Sequence, residues 1–75
     1  MNKDIRNKIK IIIDKLIAIE CSLSDIMSDE ETKMSSLPDG LQSSEMYCKM
    51  EDAVDSLDVA ITNIQEAEEA LEEIT

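Results

Sequence analysis

The chain has 75 residues, 18 acidic side chains against seven basic ones, and a net charge of −11, with no histidine, two cysteines and Tyr47 as its sole aromatic residue. That balance disfavours a phosphate backbone or an anionic membrane as partner and favours a basic protein, while the missing imidazole removes the commonest metal ligand and general base. One core of this size supplies only a few kcal/mol of net stability, so burial against another chain is the expected supplement.

The charge is unevenly spread. Residues 1–15 carry five basic side chains against two acidic ones, whereas residues 45–75 carry Lys49 against ten carboxylates. The amino end, Met1-Asn2-Lys3-Asp4-Ile5, has neither the apolar segment nor the cleavage site of a signal peptide. The longest apolar runs, 11–13 and 16–19, are split by Asp14 and Lys15. Both fall far short of the roughly 20 residues of a membrane span. A cytoplasmic protein with reduced thiols and no membrane contact is expected.

The first arm reads as a helix over about residues 3–35. Ile9, Leu16 and Leu23 fall seven apart, and Ile5, Ile12, Ile19 and Ile26 form a second row interleaved with them, the pattern of a coiled-coil seam. Glu30 and Lys33 continue the two rows as charged residues, with Met34 and Leu37 closing the end. Off this seam stand Ile11, Ile13, Ile17 and Ala18, which make the helix apolar almost all round between residues 11 and 19. A helix of that kind is buried on more than one side. These four residues are the candidate oligomer interface, with a homodimer as the expected state.

The only proline and the only glycine stand together in Leu37-Pro38-Asp39-Gly40-Leu41. Proline lacks the amide proton and disfavours helical geometry before it, and glycine readily takes the left-handed conformation that reverses a chain. A turn over about residues 36–42 is expected. Beyond it a second helix runs over about 43–74, capped by Ser43 or Ser44, with Glu45 suited to the helix dipole. Its seam is Met50, Val54, Leu57, Ile61, Ile64 and Leu71, with Tyr47 one step earlier and Glu68 interrupting. Beside it Ala53, Ala60 and Ala67 recur every seven residues and permit close approach of a neighbouring backbone.

The fold class is therefore all-α: two long antiparallel helices in one hairpin domain, 1–75, dimerising into a four-helix bundle. With the turn centred near residue 40, facing residues should have numbers summing to about 80. That pairs Leu23 with Leu57, Ile19 with Ile61, Leu16 with Ile64 and Ile9 with Leu71, and it brings Arg6, Lys8 and Lys15 towards Glu72, Glu73 and Glu66. In this register Cys21 and Cys48 are about eleven positions apart along the hairpin, roughly 16 Å, so no internal disulfide is expected.

No catalytic constellation, metal site or cofactor-binding motif is present in the sequence, because there is neither histidine nor a glycine-rich loop. Rows such as Asp52, Asp55 and Asp58 have the pattern of a solvated helix face. The run from Leu37 through Gln42-Ser43-Ser44-Glu45, followed by Met50, Ala53 and Leu57, resembles a family of small acidic proteins encoded by phages and mobile elements of Gram-positive gut bacteria. The departure is at Met46-Tyr47, where such relatives tend to have Arg-Gly. The resemblance implies a genomic setting and carries no activity.

The leading expectation is a non-enzymatic interaction module whose hairpins self-associate and display an acidic surface. Asp25, Asp29, Glu30, Glu51, Asp52, Asp55 and Asp58 form the candidate partner-binding face for a basic protein. The alternatives are an acidic nucleic-acid mimic that inhibits a host defence or DNA-processing protein, and a phage structural or assembly protein. Neither involves direct nucleic-acid binding.

Overall fold

The computed structural model describes residues 1–41 and 44–75. Two helices, α1 at Lys3–Ser35 and α2 at Glu45–Glu72, are joined through a 3-10 turn at Asp39–Leu41. No strand occurs among the described residues. The two helices lie side by side in a hairpin 59 × 15 × 12 Å in extent, with a radius of gyration of 17.3 Å. A compact domain of this length would have a radius of about 11 Å.

Local chemistry sets the ends of both helices. The Asn2 side chain accepts from the Ile5 N–H at 2.9 Å and caps α1. Ser44 does the same for α2, its hydroxyl accepting from the Tyr47 N–H at 3.2 Å while donating to the Leu41 carbonyl at 2.6 Å. The sequence left Ser43 and Ser44 as alternative caps; Ser43 and Gln42, together with the expected start of α2 at residue 43, lie outside the described residues. Acidic Asp4 and Glu45 stand in the two first turns, where they complement the helix dipole. Pro38 follows the last turn of α1, and its carbonyl accepts from the Leu41 N–H at 2.8 Å to close the 3-10 turn.

Gly40 does not act as expected. Gly40 does not have positive φ, and no described residue of the 3-10 turn is left-handed. A Cβ added at Gly40 would meet nothing within 4 Å.

The seam of α2 follows the sequence reading: Tyr47, Met50, Val54, Leu57, Ile61, Ile64, Glu68 and Leu71 are covered, with Ala60 half-covered beside them and Ile61 the most buried at 7 % exposure. The seam of α1 differs. Its seam positions are Ile9, Ile13, Leu16, Glu20, Leu23, Met27, Glu30 and Met34, again three and four apart, with Ser24 half-covered beside Leu23. The expected second row, Ile5, Ile12, Ile19 and Ile26, lies exposed. Ile13, assigned from sequence to an outer interface, is instead 8 % exposed inside the hairpin.

Register explains the exchange of rows. The Gln65 amide donates to Glu20 Oε1 at 2.5 Å, and Glu68 also meets Glu20. Facing residues therefore have numbers summing to about 85, and the register expected from a turn at residue 40 is wrong by more than one helical turn. In the expected register Glu20 would have faced apolar positions near Ala60. The observed one brings Glu20 towards Glu68, one polar interruption from each seam, and gives the Glu20 carboxylate an amide donor in Gln65. The shift also separates the charges expected to pair near the chain ends. The two ion pairs among the described residues, Lys8 with Asp4 and Lys49 with Glu45, both lie within one helix and are exposed. They contribute little.

Two stability measurements follow from this packing. In chemical denaturation Ile61→Ala should cost about 2–4 kcal/mol, as truncation of a covered isoleucine does. Gly40→Ala should stabilise by roughly 0.4–1 kcal/mol, because φ is compatible and the added methyl meets free space. A loss of stability in Gly40→Ala would contradict the turn geometry.

Candidate interaction faces

The hairpin has very little interior. Only Ile13 and Ile61 are buried among the hydrophobic residues described, and no large side chain is completely enclosed. What remains available for function is surface: an apolar flank, an acidic half and a polar layer across the seam.

The apolar flank comes mainly from α1. Ile5, Ile12, Ile19 and Ile26 are 43, 48, 49 and 53 % exposed, a row of four isoleucines left in water. They share one edge of the seam because seven residues make almost two full turns. Ile11 and Ile17 are also exposed, as is Ala18. The four residues proposed from sequence as an interface do not share one face: Ile13 is inside, Ile17 flanks the opposite edge of the seam, and Ile11 and Ala18 point to the back of the helix. The signal overlooked in the sequence is that the row taken for the seam runs for three heptad steps, Ile5 to Ile26, without a charge.

The acidic residues surround the turn-proximal half. Asp25, Asp29, Glu51, Asp52, Asp55 and Asp58 are all exposed, whereas Glu30 is half-buried as a member of the seam. Glu51, Asp55 and Asp58 stand four and three apart and therefore share one face of α2. Asp25 and Asp29 belong to α1, and the seven residues do not converge on one point. No group of three or more His, Cys, Asp or Glu that could hold a metal ion is formed among the described residues.

Cys21 and Cys48 are free and exposed. A shallow open depression bounded by Ser28, Glu31, Thr32, Ser35 and Ser36 lies along the single helix α1. The Thr32 and Ser36 hydroxyls there donate to the Ser28 and Thr32 carbonyls, both at 2.9 Å, and not to Glu31. Among the described residues no helix is long and apolar enough to cross a membrane.

No family model matches the chain, and neither does any curated protein or solved structure. The surfaces themselves must carry the functional reading.

The polar layer is the one place where protonation and packing meet. Glu68 is half-buried, and its Oε1 is sealed from solvent without a hydrogen-bond partner. Burial raises its pKa above the ordinary value of 4.5, followed by a hydrogen bond with Glu20 and repulsion from Glu20 and Glu72. Two carboxyl groups can share a hydrogen bond only if one carries a proton.

The sign of the pH dependence follows. Glu68 binds its proton more tightly in the folded chain than in the unfolded one, so its contribution is fully present below the unfolded value and is lost as pH rises through the folded value. Glu68→Gln keeps the shape and can donate to Glu20 at any pH. Thermal melts should place this variant above the wild type at pH 7 and bring the two together near pH 4. Glu69→Gln, at an exposed neighbouring position, should show no comparable gain at pH 7. A Glu68→Gln variant that melts below the wild type at pH 7 would contradict the assignment.

Proposed function

We propose that this chain is a non-enzymatic protein–protein interaction module: a cytoplasmic hairpin that pairs with a second copy in a four-helix bundle and presents an acidic outer surface. The observation that carries the reading is the near absence of a closed core in a chain with a long exposed isoleucine row. Exposed isoleucines are ordinary when single, but a contiguous apolar row is the usual mark of an interface. The resemblance of the segment from Leu37 to Glu45 supports a phage or mobile-element setting, in which a small acidic adaptor or assembly protein is a natural role.

A basic protein partner is the second reading. The shared exposed face of Glu51, Asp55 and Asp58 favours it, because the nearest ion pair on α2, Lys49 with Glu45, leaves these three carboxylates unmatched. In its sharper form the face mimics a nucleic acid. A basic protein held this way is released by duplex DNA and by raised salt, and retention under both conditions excludes mimicry.

Self-association is tested by melting the protein over a hundredfold range of concentration. If folding is coupled to pairing, the midpoint rises steadily with concentration. A midpoint independent of concentration, together with a mass of 8.4 kDa at every concentration, would refute the self-association reading.

A further inference from the structure

The face on which two copies meet can be specified further, and this step rests on the self-association reading. In an antiparallel helix pair the residue preceding each first core position of the heptad lies on the same side of the pair in both helices. With Ile13, Glu20 and Met27 as those core positions in α1, the flanking row is Ile5, Ile12, Ile19 and Ile26. With Val54, Ile61 and Glu68 as the corresponding positions in α2, the flanking row is Ala53, Ala60 and Ala67, ended by Met46 and Ile74. One side of the hairpin therefore carries a ridge of isoleucines beside a trough of alanines, with the same seven-residue spacing. No charged side chain occupies either row from Ile5 to Ile26 or from Met46 to Ile74, in a chain that is 33 % charged.

We infer that this ridged side is the homodimer interface. A two-fold axis along the length of the hairpin sets the isoleucine ridge of each copy into the alanine trough of the other. The register of the hairpin supports the fit. Gln65 is level with Glu20, which places Ile19 between the levels of Ala60 and Ala67 and nearer the latter. The same axis carries the partner's alanines to those levels on the facing side, so each isoleucine enters a gap between two small residues. A two-fold axis across the hairpin would set ridge on ridge and leave the troughs facing each other empty, a loss of contacts that close-packed interiors do not sustain.

The area agrees with a second copy as occupant. The hairpin exposes 5427 Å², whereas a compact chain of 8.4 kDa exposes about 4,600 Å². The excess of about 800 Å² matches what each partner contributes to a stable interface of standard size. The opposite flank is a poorer candidate. It carries Lys10, Ile17, Ser24 and Glu31 on α1 against Glu51, Asp58, Gln65 and Glu72 on α2, and two such acidic flanks repel each other.

The experiment compares Ile12→Lys/Ile19→Lys with Ile11→Lys/Ile17→Lys by sedimentation equilibrium, with helicity recorded in parallel. The wild type and the Ile11/Ile17 variant should sediment as dimers, and the Ile12/Ile19 variant should weaken dimerisation at least a hundredfold. The reverse pattern, with dimers lost only in the Ile11/Ile17 variant, overturns this interface and leaves self-association standing. A monomeric wild type overturns both.

Because Ile12→Lys/Ile19→Lys can also unfold a chain that folds only on pairing, cross-linking gives a second reading in folded protein. Two proteins lacking Cys21 and Cys48 through serine replacement, one with Ile19→Cys and the other with Ala67→Cys, are mixed and oxidised. The ridge-in-trough arrangement yields the mixed disulfide in excess over either symmetric one. A predominance of the symmetric Ile19→Cys product overturns it.

Discussion

Two antiparallel helices share a single line of contact, and α1 brings two apolar rows to it. One row, Ile13 with Met27 around Glu20, is placed against α2; the other, Ile5 to Ile26, is left outside. Both rows flank the same central positions, Ile9, Leu16 and Leu23, so a modest rotation of α1 would exchange them. The single helix α2 leaves the second row uncovered. The elongated shape, the scarcity of buried side chains and the reading as an association module all descend from that limit.

The choice between the rows is made by polar residues. Hydrophobicity alone would bury the uninterrupted isoleucines and leave Glu20 outside. Instead Glu20 faces Gln65 and Glu68, and it accepts from the Gln65 amide while Glu68 Oε1 is left without a partner. Such a layer weakens the hairpin relative to an all-apolar seam, and in coiled coils it fixes alignment. Here it moves the facing positions by more than one turn from the alignment a symmetrical loop would impose. Leu37 remains half-covered beyond the last turn of α1, so the first turn of α2 is matched with the connection and not with α1.

The parts of this architecture legible in the sequence were those governed by local rules. Helical period, the break at Pro38 and the capping hydroxyl of Ser44 are properties of a few neighbouring residues. The seam of α2 was legible because that helix has only one broad apolar stripe. On α1 the period was readable but the face was not, since Ile12 and Ile13 are adjacent and each belongs to a seven-residue repeat. Deciding between them needs the alignment of two distant segments, set by Glu20, Gln65 and Glu68. Gly40 marked the turn correctly, but its conformational freedom was not used, because the 3-10 turn closes with ordinary backbone angles. The candidate interface read from sequence failed at Ile13 for the same reason that the seam did.

The central claim is that a hairpin too thin to enclose its own isoleucines lies lengthwise against a second one. Small-angle X-ray scattering tests it most directly, since mass and length are read from one sample. The account predicts twice the 8.4 kDa mass of the chain with a maximum dimension still close to 59 Å. The radius of gyration should rise only from 17.3 Å to about 18 Å for helices packed at ordinary separation. A particle of single-chain mass, or a dimer much longer than the hairpin, would contradict it.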